Sequence, residues 1–412
     1  MFFRKEVMKN RYLLFLIIFV GLGLGATDAG EIKLENYQPE RNTTTVERRR
    51  SYYFPYIDGY FLGEYTLNFL DNEQKEFFDD DARTAGYFDL KTSFDINFSR
   101  SFALVNTYRL RPIMSRKYQG TYYNNDYYAK EGYFKKKMYF SEYDFLMEEI
   151  YLKFFTSELQ FGFGKFNSNY GLAHSYDKYS GIFGNYFTKE YAIDEVLGGF
   201  IKINLPFFVF SLNSFYRDTT FLSRTVFGER QHLRSDTLSG TSEKFNNFSV
   251  SGEFIINDLK VNLSFRRLAV VNNDQKAEKG YLIGIERMFE YFNGIDFVPF
   301  FEYNYADNFE GRSERKIHYF TANAPFIYEN WNFLVGISTK YDSDRYFSQK
   351  KVSYLAQANI GYGFENGVLL DIGRAVGKEY RNMIHSPTKK LKGSLDSWNV
   401  RLSYMIDFRE AK

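Results

Sequence analysis

The chain has 412 residues, a formal net charge of +2, no Cys, 36 Tyr, 46 Phe and only 7 Pro. A near-neutral balance excludes a polyanion binder such as a nucleic-acid protein. Without Cys there is no disulfide framework and no Cys-based metal site. A mean hydropathy of −0.43 argues against a chain made of apolar helical spans.

The N-terminus carries Arg4, Lys5, Lys9 and Arg11, followed by an apolar run from Tyr12 to Gly25. That run is too short for a spanning helix, which needs about 20 residues. Small residues follow, from Gly23 to Ala29. A basic start, a short apolar stretch and small residues predict an export signal over 1–29, cleaved near Gly25 or Ala29. Its four basic and two acidic side chains account for the whole net charge, so the exported chain is about neutral. Residues 30–51 are polar, lack periodicity and contain Glu47-Arg48-Arg49-Arg50. This composition predicts a flexible periplasmic segment.

From there to residue 408 the chain alternates. Ile57, Phe61, Tyr65, Leu67 and Phe69 share one face, and Asp58, Tyr60, Glu64, Thr66 and Asn68 the other. Over Gly86–Phe98 one face carries Phe88, Leu90, Thr92, Phe94, Ile96 and Phe98, and the other Asp89, Lys91, Ser93, Asp95 and Asn97. Period-two alternation means a strand with one apolar and one polar face. Further segments read at 102–112, 145–155, 158–166, 196–205, 207–216, 248–256, 259–268 and 281–288. The rest are 295–306, 317–326, 331–341, 352–364, 367–375 and 396–408, about sixteen in all. In the last, Trp398, Val400, Leu402, Tyr404, Ile406 and Phe408 form one face, aromatic at both ends and aliphatic between. That pattern suits a strand crossing a bilayer. Such a strand must pair with the first, because an open edge cannot exist in lipid.

The connections alternate in length. Ser99-Arg100-Ser101, Thr156-Ser157-Glu158, Pro206, Asn257-Asp258, Tyr328-Glu329-Asn330 and Glu365-Asn366 are tight, and Glu290–Gly294 is slightly longer. Those at about 70–85, 113–144, 167–195, 217–247, 271–280, 307–316, 342–351 and 376–395 are long. Short periplasmic turns alternating with long outer loops is the rule for outer-membrane barrels. Phe88 and Phe98, Trp331 and Tyr341, and Trp398 and Phe408 are each ten residues apart on outward faces. At about 3.3 Å per residue and a tilt of roughly 45°, that spacing rises about 23 Å, close to the height of the apolar band. The predicted fold is therefore an all-β transmembrane antiparallel barrel over 52–408, with a short tail at 409–412. Pro299 interrupts one strand and predicts a bulge there. Arg267 and Arg287 fall outward at strand ends, where long side chains can snorkel, and Asn106 falls outward within its strand.

The stretch Leu159-Gln-Phe-Gly-Phe-Gly-Lys-Phe-Asn-Ser-Asn-Tyr-Gly171, with the long third loop after it, resembles the fifth strand and constriction-loop entry of several Gram-negative porin families. With the strand count and loop rhythm, the chain resembles a sixteen-stranded outer-membrane porin over essentially all of 52–408. The resemblance implies an outer-membrane location in a bacterial cell, contact with lipid and lipopolysaccharide, insertion by the barrel assembly machinery, and a homotrimer. It departs at the end, where porins usually finish on an aromatic residue and this chain continues past Phe408 with Arg-Glu-Ala-Lys.

A sixteen-stranded barrel leaves an aqueous channel. The inward faces predict basic channel-lining residues Lys91, Arg109, Arg111, Lys153, Lys202, Arg266 and Arg401. The third loop, 167–195, carries Asp177, Glu190, Asp194 and Glu195. Folded inward, it sets these acids opposite Arg109 and Lys153, a strong local field in a narrow gap. Gly162 and Gly164, inward on the fifth strand, would leave room for it. The four His residues, 174, 232, 318 and 385, are dispersed, and no Ser-His-acid set, metal-ligand spacing or cofactor motif appears. The expected function is a pore for ions and small hydrophilic solutes, with no enzyme activity and no nucleic-acid partner. The alternative is a surface adhesin on a plugged barrel, binding through the loops at 113–144 and 217–247.

Overall fold

The computed structural model describes residues 54–70, 84–112, 143–168, 170–173, 181–218, 220, 222, 239–240, 244–270, 275–291, 294–345, 349–382 and 390–407. The export signal, segment 30–51, the C-terminal tail, Asp177, and most of the loops at 113–144 and 217–247 lie outside these residues.

The strands in chain order are β1 (Tyr56–Leu70), β2 (Thr84–Ser99), β3 (Phe102–Pro112), β4 (Tyr143–Phe155), β5 (Leu159–Phe166) and β6 (Val196–Leu205). Next come β7 (Phe208–Arg217), β8 (Asn247–Ile256), β9 (Leu259–Leu268), β10 (Glu278–Arg287), β11 (Phe289–Tyr291) and β12 (Ile295–Phe297). The series ends with β13 (Phe300–Asp307), β14 (Arg315–Tyr328), β15 (Trp331–Asp344), β16 (Gln349–Gly363), β17 (Val368–Asn382) and β18 (Lys390–Asp407). β10 with β11, and β12 with β13, are each one crossing interrupted once, so eighteen segments make sixteen crossings. Every pairing is antiparallel. The last strand closes on the first, Tyr60 facing Asp407 and Leu70 facing Ser397, so among the described strands no sheet edge is left.

The interruption falls where Pro299 removes a ladder donor. Around it Arg287 donates its amide to the Pro299 carbonyl (3.2 Å), Met288 to Asp258 (3.0 Å) and Val298 to Pro325 (3.1 Å). The face alternation survives the break, with Phe297 stacked on Phe326 at 4.5 Å on one side and Phe300 buried on the other. The short turns place Asn257 (φ 52°) and Glu329 (φ 49°) in the left-handed region, which Asn tolerates well.

The sheet is apolar on its outside. Phe88, Phe161, Phe163, Trp331, Val335, Ile360, Trp398 and Leu402 are exposed, as a lipid-facing surface requires. Inward positions are polar and shielded: Ser93, Asp95, Asn213, Ser249, Ser264, Asn304, Ser353 and Ser403. Asn106 keeps the outward parity of its register partners Phe94 and Ile150. It is nevertheless only 3% exposed and donates Nδ2 to the Leu104 carbonyl at 3.3 Å, which is how an amide is tolerated there. Arg267 donates to the Asn246 carbonyl (3.1 Å), and Arg287 lies over the Phe289 ring (4.6 Å).

Candidate functional site

A bulge in the β3–β4 pairing, where Thr107 faces Glu149 and Tyr108 faces Met147, leaves Glu148 as the extra residue. Both glutamates join the inner wall. Glu148 meets Arg109 at 3.4 Å, and Glu149 accepts from Thr107 Oγ1 at 3.0 Å and from the Asn167 amide at 3.1 Å. Arg109 grips Asp89 with Nε and Nη2, both at 2.6 Å, the bidentate geometry of a strong pair. Lys153 pairs with Asp95 at 3.0 Å. Arg401 pairs with Asp371 at 2.9 Å and Glu64 at 3.4 Å. The wall from β17 through β18 and β1 to β4 therefore carries its cations and anions as close neighbours, on adjacent strands for Arg109 and Arg401 and across β3 for Lys153 and Asp95.

The opposite wall is bonded to segment 167–195. Ser168 Oγ lies 2.8 Å from Ser249 Oγ on β8. Tyr170 donates its hydroxyl to Asn304 on β13 (2.9 Å), and the amides of Leu172 and Ala173 donate to Glu302 Oε2 (2.6 and 3.0 Å). Farther along, the Ile182 amide donates to Asn359 (3.2 Å), Gln357 donates to the Gly184 carbonyl (3.0 Å), and Asn323 to Asn185 (2.7 Å). A one-turn helix α1 (Thr188–Tyr191) brings the segment back. There Glu190 accepts from Lys340 Nζ (2.7 and 2.9 Å) and from the Tyr319 hydroxyl (2.7 Å). Tyr191 donates to Glu302 Oε1 at 2.6 Å, and its carbonyl accepts from Arg266. Glu302, 1% exposed, thus takes three hydrogen bonds from the segment.

Apolar packing backs these bonds. Phe166, Tyr170, Phe187, Tyr191 and Ile193 join Phe215, Leu268, Leu282, Ile317 and Tyr319 in one buried cluster. The Lys340 ammonium sits 5.5 Å over the Phe187 ring, and the Arg266 guanidinium 5.1 Å over Tyr170. Burial raises the Tyr170 phenol above its ordinary range. Burial, then the Glu302 carboxylate, does the same for Tyr191.

The sequence-predicted residues fall into distinct places. Arg109, Lys153 and Arg401 are inward and paired as above. Lys91 and Lys202 are inward by register, facing Arg109 and Ser211 respectively, while the Arg111 side chain is outside the described set. Arg266 is only 1% exposed, pairing with Glu278 beneath Tyr170 and Tyr191, so it cannot line an open channel. Glu190 is bound to β14 and β15, not opposed to Arg109 and Lys153 as expected, because Lys340 and Tyr319 claim its carboxylate. Glu195 meets Lys165 at 3.0 Å, and Asp218 meets the same ammonium at 3.6 Å; Lys165 is fully buried. Asp194 is half-buried beside Glu195.

The glycine expectation is corrected. A Cβ at Gly162 would strike the Phe200 ring at 2.1 Å, and one at Gly164 the Ile150 carbonyl at 2.4 Å, both on neighbouring strands. The glycines that make room for the segment are Gly280, where a Cβ would meet the Tyr170 hydroxyl at 2.7 Å, and Gly373, where it would meet Ile182 at 2.6 Å. Glu302, Lys340, Tyr319 and Asn359 were missed by sequence reasoning. A signal was present: Leu282, Phe300, Ile317 and Tyr319 are apolar or aromatic at inward positions that should be polar.

Closed, antiparallel, sixteen crossings around, apolar outside and polar inside, this is the fold of an outer-membrane porin. No protein-family model and no curated protein matches the chain. Among solved structures, Salmonella typhi OmpF, in a complex with daunomycin, superposes with a TM-score of 0.57 at 11% identity, covering 85% of this chain and 98% of that one. A BenF-like porin from Pseudomonas fluorescens gives 0.47 at 10% identity, covering 85% and 99%. The outer membrane channel DcaP of Acinetobacter baumannii also gives 0.47 at 10%, covering 85% and 96%.

Proposed function

We propose that the protein is a porin of the bacterial outer membrane, reached by a cleaved export signal. It forms a water-filled channel for passive diffusion of ions and small hydrophilic solutes, narrowed by segment 167–195. The observation that carries this reading is the asymmetry of the inner wall. One side holds the segment through Glu302, Lys340 and Asn359, and the other presents paired charges around Arg109, Lys153 and Arg401. Opposed charges on a low-dielectric wall favour ions and dipolar solutes over apolar ones. Chemistry on a substrate is not part of the reading.

Planar-bilayer recording tests it. Stepwise conductance is the expected result, larger for a variant lacking 176–190. A silent bilayer at high protein load would instead favour a surface-exposed binding protein on a plugged barrel.

A further inference from the structure

Tyr186 is 37% exposed, and segment 167–195 carries it inside the barrel. Among the described residues, every other large apolar side chain with comparable exposure lies on the outward face of a strand, at a strand end or in a turn. The neighbours of Tyr186 fix its direction. Asn185 is buried against the wall, where it accepts from Asn323 at 2.7 Å, and Phe187 is buried in the cluster beneath Lys340. With both neighbours turned to the wall, Tyr186 projects from the segment into the lumen. The Phe187 ring props it edge to face, with centroids 5.0 Å apart and planes at 82°. A Cβ added at Gly184, two residues earlier, would meet nothing within 4 Å, so open space lies alongside the segment there.

Rings of this segment already receive the protein's own cations, Phe187 from Lys340 and Tyr170 from Arg266. The wall supplies an excess of the opposite sign. At inward strand positions with described side chains, carboxylates outnumber ammonium and guanidinium groups by fifteen to eleven. Arg109, Arg315 and Arg401 each serve two carboxylates. The bulge in β4 turns Glu148 and Glu149 inward together, and Glu149 meets only uncharged donors, the Thr107 hydroxyl and the Asn167 amide. A cleft with one prevailing sign and low-dielectric walls concentrates the opposite ion.

We infer that Tyr186 is a binding position for organic ammonium cations passing through the lumen. A ring face attracts a cation within about 6 Å of its centroid, and a quaternary ammonium suits it best because its charge is carried on apolar groups. The acidic wall raises the local concentration of such a cation, and the ring selects it over a hydrated metal ion. The inference deepens the channel reading and rests on it.

The test records potassium current through the full-length protein in a planar bilayer of neutral lipid. Choline is the blocker, and 3,3-dimethyl-1-butanol, its uncharged carbon isostere, is the control. Choline should reduce the current at concentrations where the alcohol does not, and the reversal potential in a KCl gradient should lie toward potassium. Tyr186→Leu should raise the half-blocking choline concentration about fivefold, equivalent to about 1 kcal/mol for an exposed contact between cation and ring. Tyr186→Phe keeps the ring and should stay within about twofold of the natural chain. A conducting channel that choline and the alcohol block equally would overturn the inference. So would a reversal potential toward chloride, unchanged block in Tyr186→Leu, or equal loss in Tyr186→Leu and Tyr186→Phe. A silent bilayer would instead remove the channel reading, and this site with it.

Discussion

Glu302 has almost no access to water, yet its partners come mainly from a segment more than a hundred residues earlier in the chain. Replacing it by Ala would strand the Leu172 and Ala173 amides and the Tyr191 hydroxyl, and an unmet buried donor costs about 1–3 kcal/mol. Glu302→Ala is therefore expected to loosen the segment and raise both the conductance and the open-channel noise in a bilayer, while the folded band on a gel persists. Charge at Arg109 and Lys153 acts differently. Those side chains neutralise Asp89 and Asp95, and they act within a Debye length of about 8 Å of the lumen. Arg109→Gln/Lys153→Gln should shift the reversal potential toward cations more than Lys389→Gln/Lys390→Gln, where β18 begins, does; an equal shift from the second pair would refute the assignment. At Lys165 the concern is stability. Its loss leaves Glu195 and Asp218 without the buried cation between them, and breaking such a pair costs about 3–5 kcal/mol. Lys165→Ala should lower the temperature at which the heat-modifiable band is lost.

At the scale of elements, the strands were readable because alternation fixes their faces, and most described bounds lie within about three residues of the sequence reading; the exception is the last long connection, read as 376–395, into which β17 extends to Asn382 and from which β18 starts at Lys390. The third loop was readable as long and acidic, but not for what receives it. Alternation says which way Glu302 and Lys340 point and nothing about which loop reaches them. Reading any charged inward residue as channel lining therefore misplaced Arg266, which is covered by Tyr170 and Tyr191. Glycine misled for a related reason: a missing Cβ signals close approach without saying by what, and at Gly162 the neighbour is a ring on the next strand. The docking itself has a clean probe, because the chain has no native Cys. Ser168 and Ser249 have their hydroxyls 2.8 Å apart, within reach of a disulfide. Ser168→Cys/Ser249→Cys should cross-link under oxidation without changing conductance. Failure to cross-link would mean that the segment does not rest on β8.

For the molecule as a whole, closure decides viability. β18 supplies both the partner of β1 and the partner of β17, so its removal exposes two unpaired edges, which lipid does not accommodate. A chain ending at residue 389 should yield no heat-modifiable species and no conductance. The sequence predicted this dependence from the alternation of its last strand, since a closing strand with one lipid face and one wet face has only one place to pair. The porin-type fold was likewise readable from alternation, aromatic spacing and loop rhythm together, although identity to the solved barrel of Salmonella typhi OmpF is 11%.

The bonds that seat segment 167–195 also impose an order in time. Tyr170 finds Asn304 across 134 positions, Glu190 finds Lys340 across 150, and Gly184 finds Gln357 across 173. The strands that hold it, β8 and β13 to β16, all follow it in the chain. Contacts so distant in sequence form late, because their loop-closure entropy must be met before they reward it. The wall must be assembled through β16 before the segment has anywhere to rest. Seating the segment is therefore expected to be the last event of folding, after the wall that receives it has closed.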